Sequence, residues 1–338
     1  MSKKILVIRF SSIGDIVLTT PVVRCLKKQL GAEVHFLTKR GFEKILLNNP
    51  NIDRVFSIEK KISEIIKSLT SERYDYVIDL HNNLRSWQVK NALGVKSYSF
   101  DKLNFEKWLM VNLKINRLPH NHIVDRYLDT VRDLGVVNDR QGLDYFIPKE
   151  DEIDVAKFLR ENFTRELPPQ YFDQKSENKL PYLAFVIGAA HATKRLPVDK
   201  IVEICNGLNL PVLLLGGKED KANGDAIAMK STHYVFNFCG MLNLNQSASA
   251  VKQAHKVITH DTGLMHIAAA FDKKIISVWG NTIPEFGMTA YSNEVENFEV
   301  KGLSCRPCSK IGHQKCPKGH FDCMQKQDSK AIILSLNK

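Results

Sequence analysis

The sequence predicts an α/β protein with two doubly wound, parallel-sheet domains in tandem. Short apolar runs alternate with helix-like stretches from the first residues onward, which is the order of repeated βα units. The alternation breaks once, at a polar, proline-bearing segment over residues 164–179, and then resumes. A length of 338 residues suits two domains of ordinary size. We therefore predict domains at residues 1–165 and 181–338, joined by a linker at 166–180.

The first half begins with a nearly continuous apolar run over residues 5–10, as expected of a strand buried on both faces. After a small-residue turn at 11–14, apolar residues recur at spacings of three and four and predict a helix that stops at Gly31. Pro21 stands early in this helix, where a proline is best tolerated. The other elements predicted here are strands at 34–37, 54–58, 76–80 and 97–100 and a helix around 121–134.

The second half repeats the same alternation, and we expect the two sheets to face a central cleft because ligands bind beyond the carboxyl ends of such strands. The last helix is expected to be able to pack back on the first domain. The predicted strands lie at 182–187, 212–215, 235–237, 256–259 and 275–279. The predicted helices lie at 198–208, 220–230, 246–254 and 265–271.

Composition limits the classes of function. The residues are 43% hydrophobic and 25% charged, which excludes a disordered or fibrous protein. The net charge of +11 favours an anionic small substrate or an acidic membrane leaflet. Dense basic runs with interleaved aromatic residues do not occur, so we predict no nucleic-acid partner. No run of about 18 apolar residues occurs, and Arg9 and Asp15 interrupt the apolar start, so we predict a cytoplasmic protein with peripheral membrane contact at most.

The turn at residues 9–15 follows the first strand and opens a helix. Small residues let a ligand approach the backbone there, and a helix N-terminus favours negative charge. Gly14 is the only glycine, so the dinucleotide fingerprint is missing and a nicotinamide enzyme is disfavoured. Asp15 either accepts a proton from an attacking hydroxyl or caps the helix start.

A second turn, at residues 259–263, follows a strand of the second half and begins an apolar helix. Thr262 can offer a hydroxyl and an amide to a phosphate, and Gly263 permits close approach, which together predict a diphosphate site. Asp261 either caps this helix or binds a sugar hydroxyl. His266, one turn further, either donates to a phosphate oxygen or is structural.

Two more strand ends carry charged residues. Lys194 follows the first strand of the second half and could balance charge on a leaving diphosphate, although Lys194 and Arg195 could equally be surface cations. Glu219 follows the next strand, where it could bind ribose hydroxyls or simply occupy a helix first turn.

These segments together resemble glycosyltransferase family 9, the heptosyltransferases, over essentially the whole chain. The matching stretches are residues 9–15 with Thr19 and Pro21, 79–86, 194–197 and 261–270. Each stretch alone is a weak signal, but all four occur in the family's order and in the appropriate domains.

The resemblance implies a glycosyltransferase B fold and inverting transfer of a heptose from ADP-heptose to a lipopolysaccharide inner-core acceptor, a Kdo or heptose on lipid A. It also implies that catalysis requires no cofactor and that the enzyme works at the cytoplasmic face of the inner membrane. Asp15 matches the family's proposed general base. The positions that match donor-binding residues are Thr193, Lys194, Glu219, Met241, Asp261, Thr262, Gly263 and His266. The positions that match acceptor-binding residues are Ser12, Gly14, Arg85 and Arg126.

The chain departs from the family pattern at several positions. Ala189 and Ala190 stand where well-known members carry hydroxyl residues, and we expect Thr193 to compensate. Leu196 and His260 replace a common tryptophan and asparagine, so the donor sugar could differ. The alternatives are a transferase of the same fold with another nucleotide-sugar donor, and a non-catalytic protein that binds a sugar nucleotide.

The seven cysteines form two groups. Three are isolated in apolar segments and are predicted core thiols: Cys25, Cys205 and Cys239. Four cluster near the C-terminus, with His313 and His320 among them: Cys305, Cys308, Cys316 and Cys323. The cluster is compatible with structural zinc, with reduced or redox-active thiols, or with two disulfides, and the proposed chemistry needs none of these.

Overall fold

A computed structural model describes residues 2–168, 171 and 180–338, which divide into two compact units. The first unit runs to Asn104 and includes Pro119–Phe146, and the second consists of Phe105–Leu118 and Ile147–Lys338. The division therefore falls at Phe146, earlier than the predicted linker at 166–180. Residues 169, 170 and 172–179 of that linker lie outside the described residues.

The first unit contains a parallel sheet of five strands, as the sequence predicts, and their order is β3-β2-β1-β4-β5. The strands are β1 (Lys4–Ile8), β2 (Glu33–Lys39), β3 (Arg54–Ile58), β4 (Tyr76–Asp79) and β5 (Lys96–Ser99). Since β1 pairs with β2 on one side and β4 on the other, the strand order reverses at β1. Ligands bind at such switch points in open α/β sheets, so the turn after β1 is well placed for function.

The helices of the first unit follow its strands along the chain. They are α1 (Ile13–Val17), α2 (Thr20–Leu30), α3 (Ile66–Ser71), α4 (Leu84–Leu93) and α6 (Ile123–Asp129). The single helix predicted before Gly31 is thus two helices. The hydroxyls of Thr19 and Thr20 bond to the Ile16 and Val17 carbonyls, and Pro21 lacks the amide hydrogen that would continue α1. Gly31 ends α2 at a φ of 57°, as predicted.

The second unit contains a parallel sheet of six strands in the order β11-β10-β9-β6-β7-β8. The strands are β6 (Leu183–Val186), β7 (Val212–Leu215), β8 (Val235–Asn237), β9 (Lys256–His260), β10 (Ile275–Trp279) and β11 (Val295–Glu299). The order reverses at β6, which lies between β7 and β9. The sequence did not predict β11, because none of the residues of this edge strand is buried and it carries no apolar run.

Helices stand both at the beginning and at the end of the second unit. They are α5 (Asn104–Asn112), α7 (Val155–Asn162), α8 (Val198–Asn206), α9 (Lys221–Lys230), α10 (Leu244–Gln253), α11 (Gly263–Ala270), α12 (Asp322–Gln325) and α13 (Ser329–Asn337). Phe158 of α7 packs on Phe238 with ring centroids 4.9 Å apart, which explains why the second unit begins before the predicted linker. None of the described helices has the length and apolarity needed to cross a membrane.

The last helix, α13, packs on the second unit. Ile332 and Leu336 are buried in its core, and the Lys256 ammonium donates to the Leu336 carbonyl at 2.8 Å. The expected contact of this helix with the first domain stays a prediction. The predicted core thiols Cys25, Cys205 and Cys239 are fully buried, as expected.

Candidate active-site residues of the two units

The turn between β1 and α1 fixes the Asp15 carboxylate from two sides. Its Oδ1 lies 2.5 Å from the Arg9 guanidinium. Its Oδ2 accepts hydrogen bonds from the Ser12 hydroxyl at 2.7 Å and from the Ser12 amide at 3.1 Å. The predicted capping role of Asp15 is therefore present, since Ser12 is the residue that precedes α1. The same contacts hold the carboxylate at the carboxyl end of the central strand.

Arg9 is a buried cation whose role the sequence did not reveal. Its guanidinium donates to the Leu80 carbonyl at 2.5 Å, to the Tyr127 hydroxyl at 2.9 Å and to the Ser11 carbonyl at 2.8 Å. Burial opposes the charged form, but Tyr127 and Asp15 outweigh it, so the pKa of Arg9 is raised. This fixed positive charge lies directly beside the Asp15 carboxylate.

His81 lies beyond β4 and packs edge-on against Phe10, with ring centroids 5.2 Å apart. Burial, and then the positive charge of Arg9, lowers the pKa of His81 to about 4. Its buried Nδ1 has no hydrogen-bond partner within the described part of the chain. The imidazole is therefore neutral at physiological pH and does not compete with Arg9 for Asp15.

The predicted acceptor residues have different surroundings. Ser12 is engaged with Asp15, and Gly14 is buried in α1. Arg85 is exposed on the first turn of α4 and makes no hydrogen bond or ion pair with any residue that the structure describes. Arg126 is only 8% exposed, donates to the Asp101 carbonyl at 2.8 Å and lines a cavity of about 290 Å³ within the first unit. A phosphate or carboxylate could therefore reach either arginine.

In the second unit, α11 begins as the sequence predicts, directly after β9. Thr262 precedes the helix with extended backbone, and no described side chain caps it. The Thr262 hydroxyl lies 3.3 Å from that of Thr259, and Gly263 is the first helical residue. The first-turn amides therefore remain available to an anion. His266 is 2% exposed, and both of its predicted roles, phosphate donor and structural residue, stay predictions.

Lys194 lies beside this helix start. Its ammonium is 2.6 Å from the Asp261 carboxylate and 3.4 Å from the Asp261 carbonyl. Thr282, just beyond β10, donates its hydroxyl to the same carboxylate at 3.0 Å. Lys194 is thus held in place and is not a scattered surface cation. The structure brings together the cation and the helix N-terminus that a diphosphate requires.

Arg195 has a structural role. Its guanidinium donates to the Ala189 carbonyl at 2.8 Å and pairs with Asp220 at 3.1 Å. Asp220 in turn lies so close to Gly188 and Gly216 that a side chain at either position would collide with it. The interpretation of Arg195 as a surface cation is therefore wrong. This network sets the backbone path between β6 and Lys194.

The predicted nucleotide contacts Glu219 and Met241 lie on turns that follow β7 and β8. Glu219 is exposed on the turn Lys218–Asp220, and Met241 is 40% exposed. The turns after β6, β7, β8 and β9 all lie at the carboxyl edge of one parallel sheet. Both side chains are therefore open to a ligand at that edge.

Thr193 does not fit its predicted donor contact. It is 2% exposed, and its hydroxyl lies within hydrogen-bond distance of the His313 carbonyl at 3.0 Å, the His313 amide at 2.8 Å and the Asn281 side chain at 3.1 Å. A hydroxyl committed to these partners cannot also bind phosphate. Thr193 therefore fastens the loop that carries His313 to the turn that carries Lys194.

We call residues 300–321 the brace loop, because it supports two turns of the candidate donor site. Arg306 donates to the Gly280 carbonyl at 2.5 Å and to the Thr282 carbonyl at 2.8 Å, and pairs with Glu299 at 2.6 Å. The amide of Cys308 donates to the Asn281 carbonyl at 3.3 Å. Sequence reasoning missed these contacts, since nothing local links the brace loop to turns so distant along the chain.

Among the described residues, the four cysteines of the predicted zinc site do not form a group of three ligands within 4.8 Å of one another. All seven cysteines, each within the described part of the chain, are free thiols. Among the described residues, the only three potential metal ligands within 4.8 Å of one another are Glu33, His35 and Glu72, whose carboxylates pair with Lys4 and Arg54. Cys323 instead enters the hydrophobic core, where burial raises its pKa to about 12. Cys305, Cys308, Cys316 and Cys323 are all described residues and form no disulfide in this structure, and zinc at these positions stays a prediction.

Comparison with solved structures defines the class of fold. The crystal structure of the family 9 glycosyltransferase from Veillonella parvula matches with a TM-score of 0.77, covering 98% of this chain and 95% of that chain at 20% identity. Escherichia coli ADP-heptose lipopolysaccharide heptosyltransferase II matches with a TM-score of 0.66 at 20% identity, covering 98% and 99% of the two chains. The two parallel-sheet units are those of a glycosyltransferase B fold, as predicted.

Sequence comparison supplies the family. A model of glycosyltransferase family 9 (heptosyltransferase) matches residues 62–318, and the chain belongs to this family. Lipopolysaccharide heptosyltransferase 1 of Campylobacter coli is 26% identical over 298 residues, 82% of this chain and 84% of that protein. Lipooligosaccharide heptosyltransferase 2 of Haemophilus ducreyi is 25% identical over 307 residues, 84% and 85% of the two chains. The predicted family and enzyme class, a glycosyltransferase, are confirmed.

Proposed function

We propose that this enzyme transfers a heptose from ADP-heptose to an inner-core sugar of lipopolysaccharide, with inversion at the anomeric carbon. The relatives named above are heptosyltransferases of lipopolysaccharide or lipooligosaccharide. A further E. coli heptosyltransferase of the same fold has been solved with ADP and with ADP-2-deoxy-2-fluoro heptose. The protein would work in the cytoplasm, at the inner-membrane surface, where a lipid-linked acceptor is presented.

The observation that carries this proposal is the position of Lys194 beside the uncapped start of α11. Its ammonium lies 3.4 Å from the carbonyl of Asp261, two residues before the helix begins. A cation and a set of free amides at one point are the groups that stabilise a diphosphate. Glu219 and Met241, on neighbouring turns, would contact the ribose and adenine of the same nucleotide.

The reaction is a single displacement. A hydroxyl oxygen of the acceptor forms a bond to the anomeric carbon while the bond from that carbon to the ADP oxygen breaks. The hydroxyl proton passes to the Asp15 carboxylate beside Arg9, and the acceptor hydroxyl takes the place of the Ser12 hydroxyl on Oδ2. Lys194 and the α11 amides stabilise the negative charge that collects on the leaving ADP. No cofactor enters this scheme.

On the acceptor side, we propose that Arg126 and Arg85 bind acidic groups of the lipopolysaccharide core. Arg126 lies in a cavity and is already oriented by the Asp101 carbonyl. Arg85 reaches solvent from α4. Two cations of this kind suit the carboxylates of Kdo or the phosphates of lipid A.

The direct test mixes the purified protein with ADP-heptose and Kdo-bearing lipid A and follows the product by mass spectrometry and released ADP. We expect Asp15→Asn to lower kcat by about 10²–10⁴ with unchanged ADP affinity, because only proton transfer is lost. We expect Lys194→Ala to weaken ADP binding about tenfold or more, since a charge-assisted contact is lost. Asp199→Asn, in an exposed ion pair on α8, serves as the matched control.

Two outcomes would contradict the proposal. An Asp15→Asn protein with wild-type turnover would remove Asp15 as the base. Transfer or tight binding with UDP- or GDP-sugars, and none with ADP-heptose, would keep the transferase class but change the donor.

A further inference from the structure

The segment Phe105–Leu118, within the second unit, exposes much apolar surface. Four of its large apolar side chains are 45–63% exposed: Phe105, Trp108, Leu113 and Ile115. The opposite side of the segment is anchored, because Leu118 is buried against Ile283 and Phe286. Large exposed apolar side chains this close along the chain indicate a binding surface.

This segment is joined to the brace loop. The Lys114 ammonium donates to the Pro307 carbonyl at 2.6 Å and lies 3.5 Å from the Cys305 carbonyl. The brace loop is strongly basic, since no acidic residue occurs between Glu299 and Asp322. Its exposed lysines are Lys301, Lys310, Lys315 and Lys318. Arg117, also exposed, adds a further positive charge from the segment itself.

We infer that Phe105–Leu118 and the lysines of the brace loop form one docking surface for an anionic lipid bilayer. Aromatic side chains such as Trp108 prefer the boundary between headgroups and acyl chains, where the ring is buried and the indole N–H stays hydrated. Lysines bind the phosphates of anionic headgroups and keep their ammonium groups in water. The combination of apolar and basic residues on one surface is that of a protein that lies on a membrane.

Charge favours a membrane over a second copy of this chain. A symmetric contact between two copies would bring two lysine-rich loops together, within molecules that each carry a net charge of +11. Like charges at an interface repel each other unless acids neutralise them, and the brace loop supplies none. An anionic bilayer satisfies both the apolar and the basic parts of the docking surface.

This inference rests on the proposed lipid-linked acceptor, but its test needs neither donor nor acceptor. The full-length protein is mixed with vesicles of phosphatidylcholine alone or with added phosphatidylglycerol. Trp87→Phe leaves Trp108 as the exposed tryptophan reporter, because Trp279 is buried. We expect a blue shift of its fluorescence, and quenching by brominated acyl chains, on the anionic vesicles only.

Sedimentation with vesicles assigns the surface. We expect the double changes F105S/W108S and K315E/K318E each to weaken binding to anionic vesicles at least tenfold. The matched controls are L47S/M229S, at apolar side chains 60% and 80% exposed elsewhere, and K60E/K67E, at exposed lysines of the first unit. Equal losses in variants and controls would overturn the inference, as would absence of wild-type binding.

The experiments would give a different result if the docking surface bound a second copy of this chain instead of a membrane. The wild-type protein would then form a dimer that depends on its concentration, F105S/W108S would abolish it, and vesicles would not bind, which overturns the lipid assignment. Because ADP binding is measured without vesicles, loss of vesicle binding alone leaves the proposed reaction standing. Loss of ADP binding alone leaves the docking surface standing.

Discussion

At the scale of single residues, Asp261 and Lys194 set the charge of the candidate donor site. The Asp261 carboxylate forms an ion pair with the Lys194 ammonium at 2.6 Å and would repel an incoming diphosphate. We therefore expect Asp261→Asn to tighten ADP binding about fivefold, as removal of one like charge at a few ångströms implies. Titration calorimetry measures the change, with Asp199→Asn as the control. Weaker ADP binding would show instead that Asp261 is needed to position Lys194.

His260 gives the stability of the protein a dependence on pH. It is fully buried at the end of β9, and its Nε2 accepts a hydrogen bond from the Leu196 amide at 3.0 Å, so the neutral form is required. Burial, and then the charge of Arg195, lowers the pKa of His260 to about 3. The unfolded chain binds this proton below about pH 6.5, whereas the folded chain does not until near pH 3. Stability is therefore lost as the pH falls through this window.

We expect His260 alone to remove about 2 kcal/mol of unfolding free energy between pH 7 and pH 5, from the same linkage. His260→Asn should shrink the difference between the two pH values by about that amount in urea unfolding experiments. His120→Asn, at an exposed position, is the control and should leave the difference unchanged. An unchanged pH dependence in His260→Asn would exclude burial of this imidazole as the cause.

At the scale of elements, the brace loop and the Lys194 turn should act together. Thr193→Val keeps the shape of the side chain but loses the contacts with His313 and Asn281. We expect a loss of about 1 kcal/mol of stability for the missing hydroxyl. We also expect a several-fold weaker affinity for ADP, because the turn that carries Lys194 is less well fixed.

Thr130→Val is the matched control for this prediction. Its hydroxyl is also buried and donates to a backbone carbonyl, that of Tyr127, but it lies in the first unit. Denaturant unfolding and ADP calorimetry on both variants separate the two effects. Equal losses of stability with equal ADP affinity would show that the brace loop does not support the donor site.

The sequence predicted the elements whose signal is local. The strands β3, β7, β8 and β10 have their predicted bounds, because each is a compact run of mostly apolar residues next to clear turns. The edge strand β11 was not predicted, since a strand without buried residues has no apolar pattern in its sequence. The break between α1 and α2 was not predicted either. It depends on threonine hydroxyls that bond to the preceding turn, and these do not change the spacing of the apolar residues.

The candidate site was predictable to a similar extent. Lys194, Asp261 and Thr262 stand at strand ends and in family motifs, so their proximity could be expected. Arg9, Arg306 and His313 could not be recognised, because their roles depend on carbonyls and side chains brought near by folding. The core position of Cys323 could not be predicted from the cysteine spacing either, because its burial depends on the whole fold.

At the scale of the whole molecule, the two units should respond differently to ADP. Every predicted donor residue lies in the second unit. We expect ADP to slow hydrogen exchange at residues 189–195, at 261–266 and in the brace loop, because a bound diphosphate holds these turns together. The turn at residues 11–17 of the first unit should exchange at an unchanged rate.

Hydrogen exchange followed by mass spectrometry checks this pattern. Lys194→Ala at the same ADP concentration should show little added protection, which ties the effect to the donor site. Protection confined to residues 11–17 would move nucleotide binding to the first unit and would refute the assignment of donor residues made here.

The segment Phe105–Leu118 belongs to the second unit although it lies within the sequence range of the first, and this affects the construction of chimeras between members of the family. The chain passes from one unit to the other after Asn104, after Leu118 and after Phe146. A chimera joined only at Phe146 would seat one parent's Leu118 on the other parent's Ile283 and Phe286. Exchange of whole halves between relatives therefore succeeds only where the residues at positions 118, 283 and 286 are compatible. It also succeeds where Phe105–Leu118 is taken from the same parent as the second half.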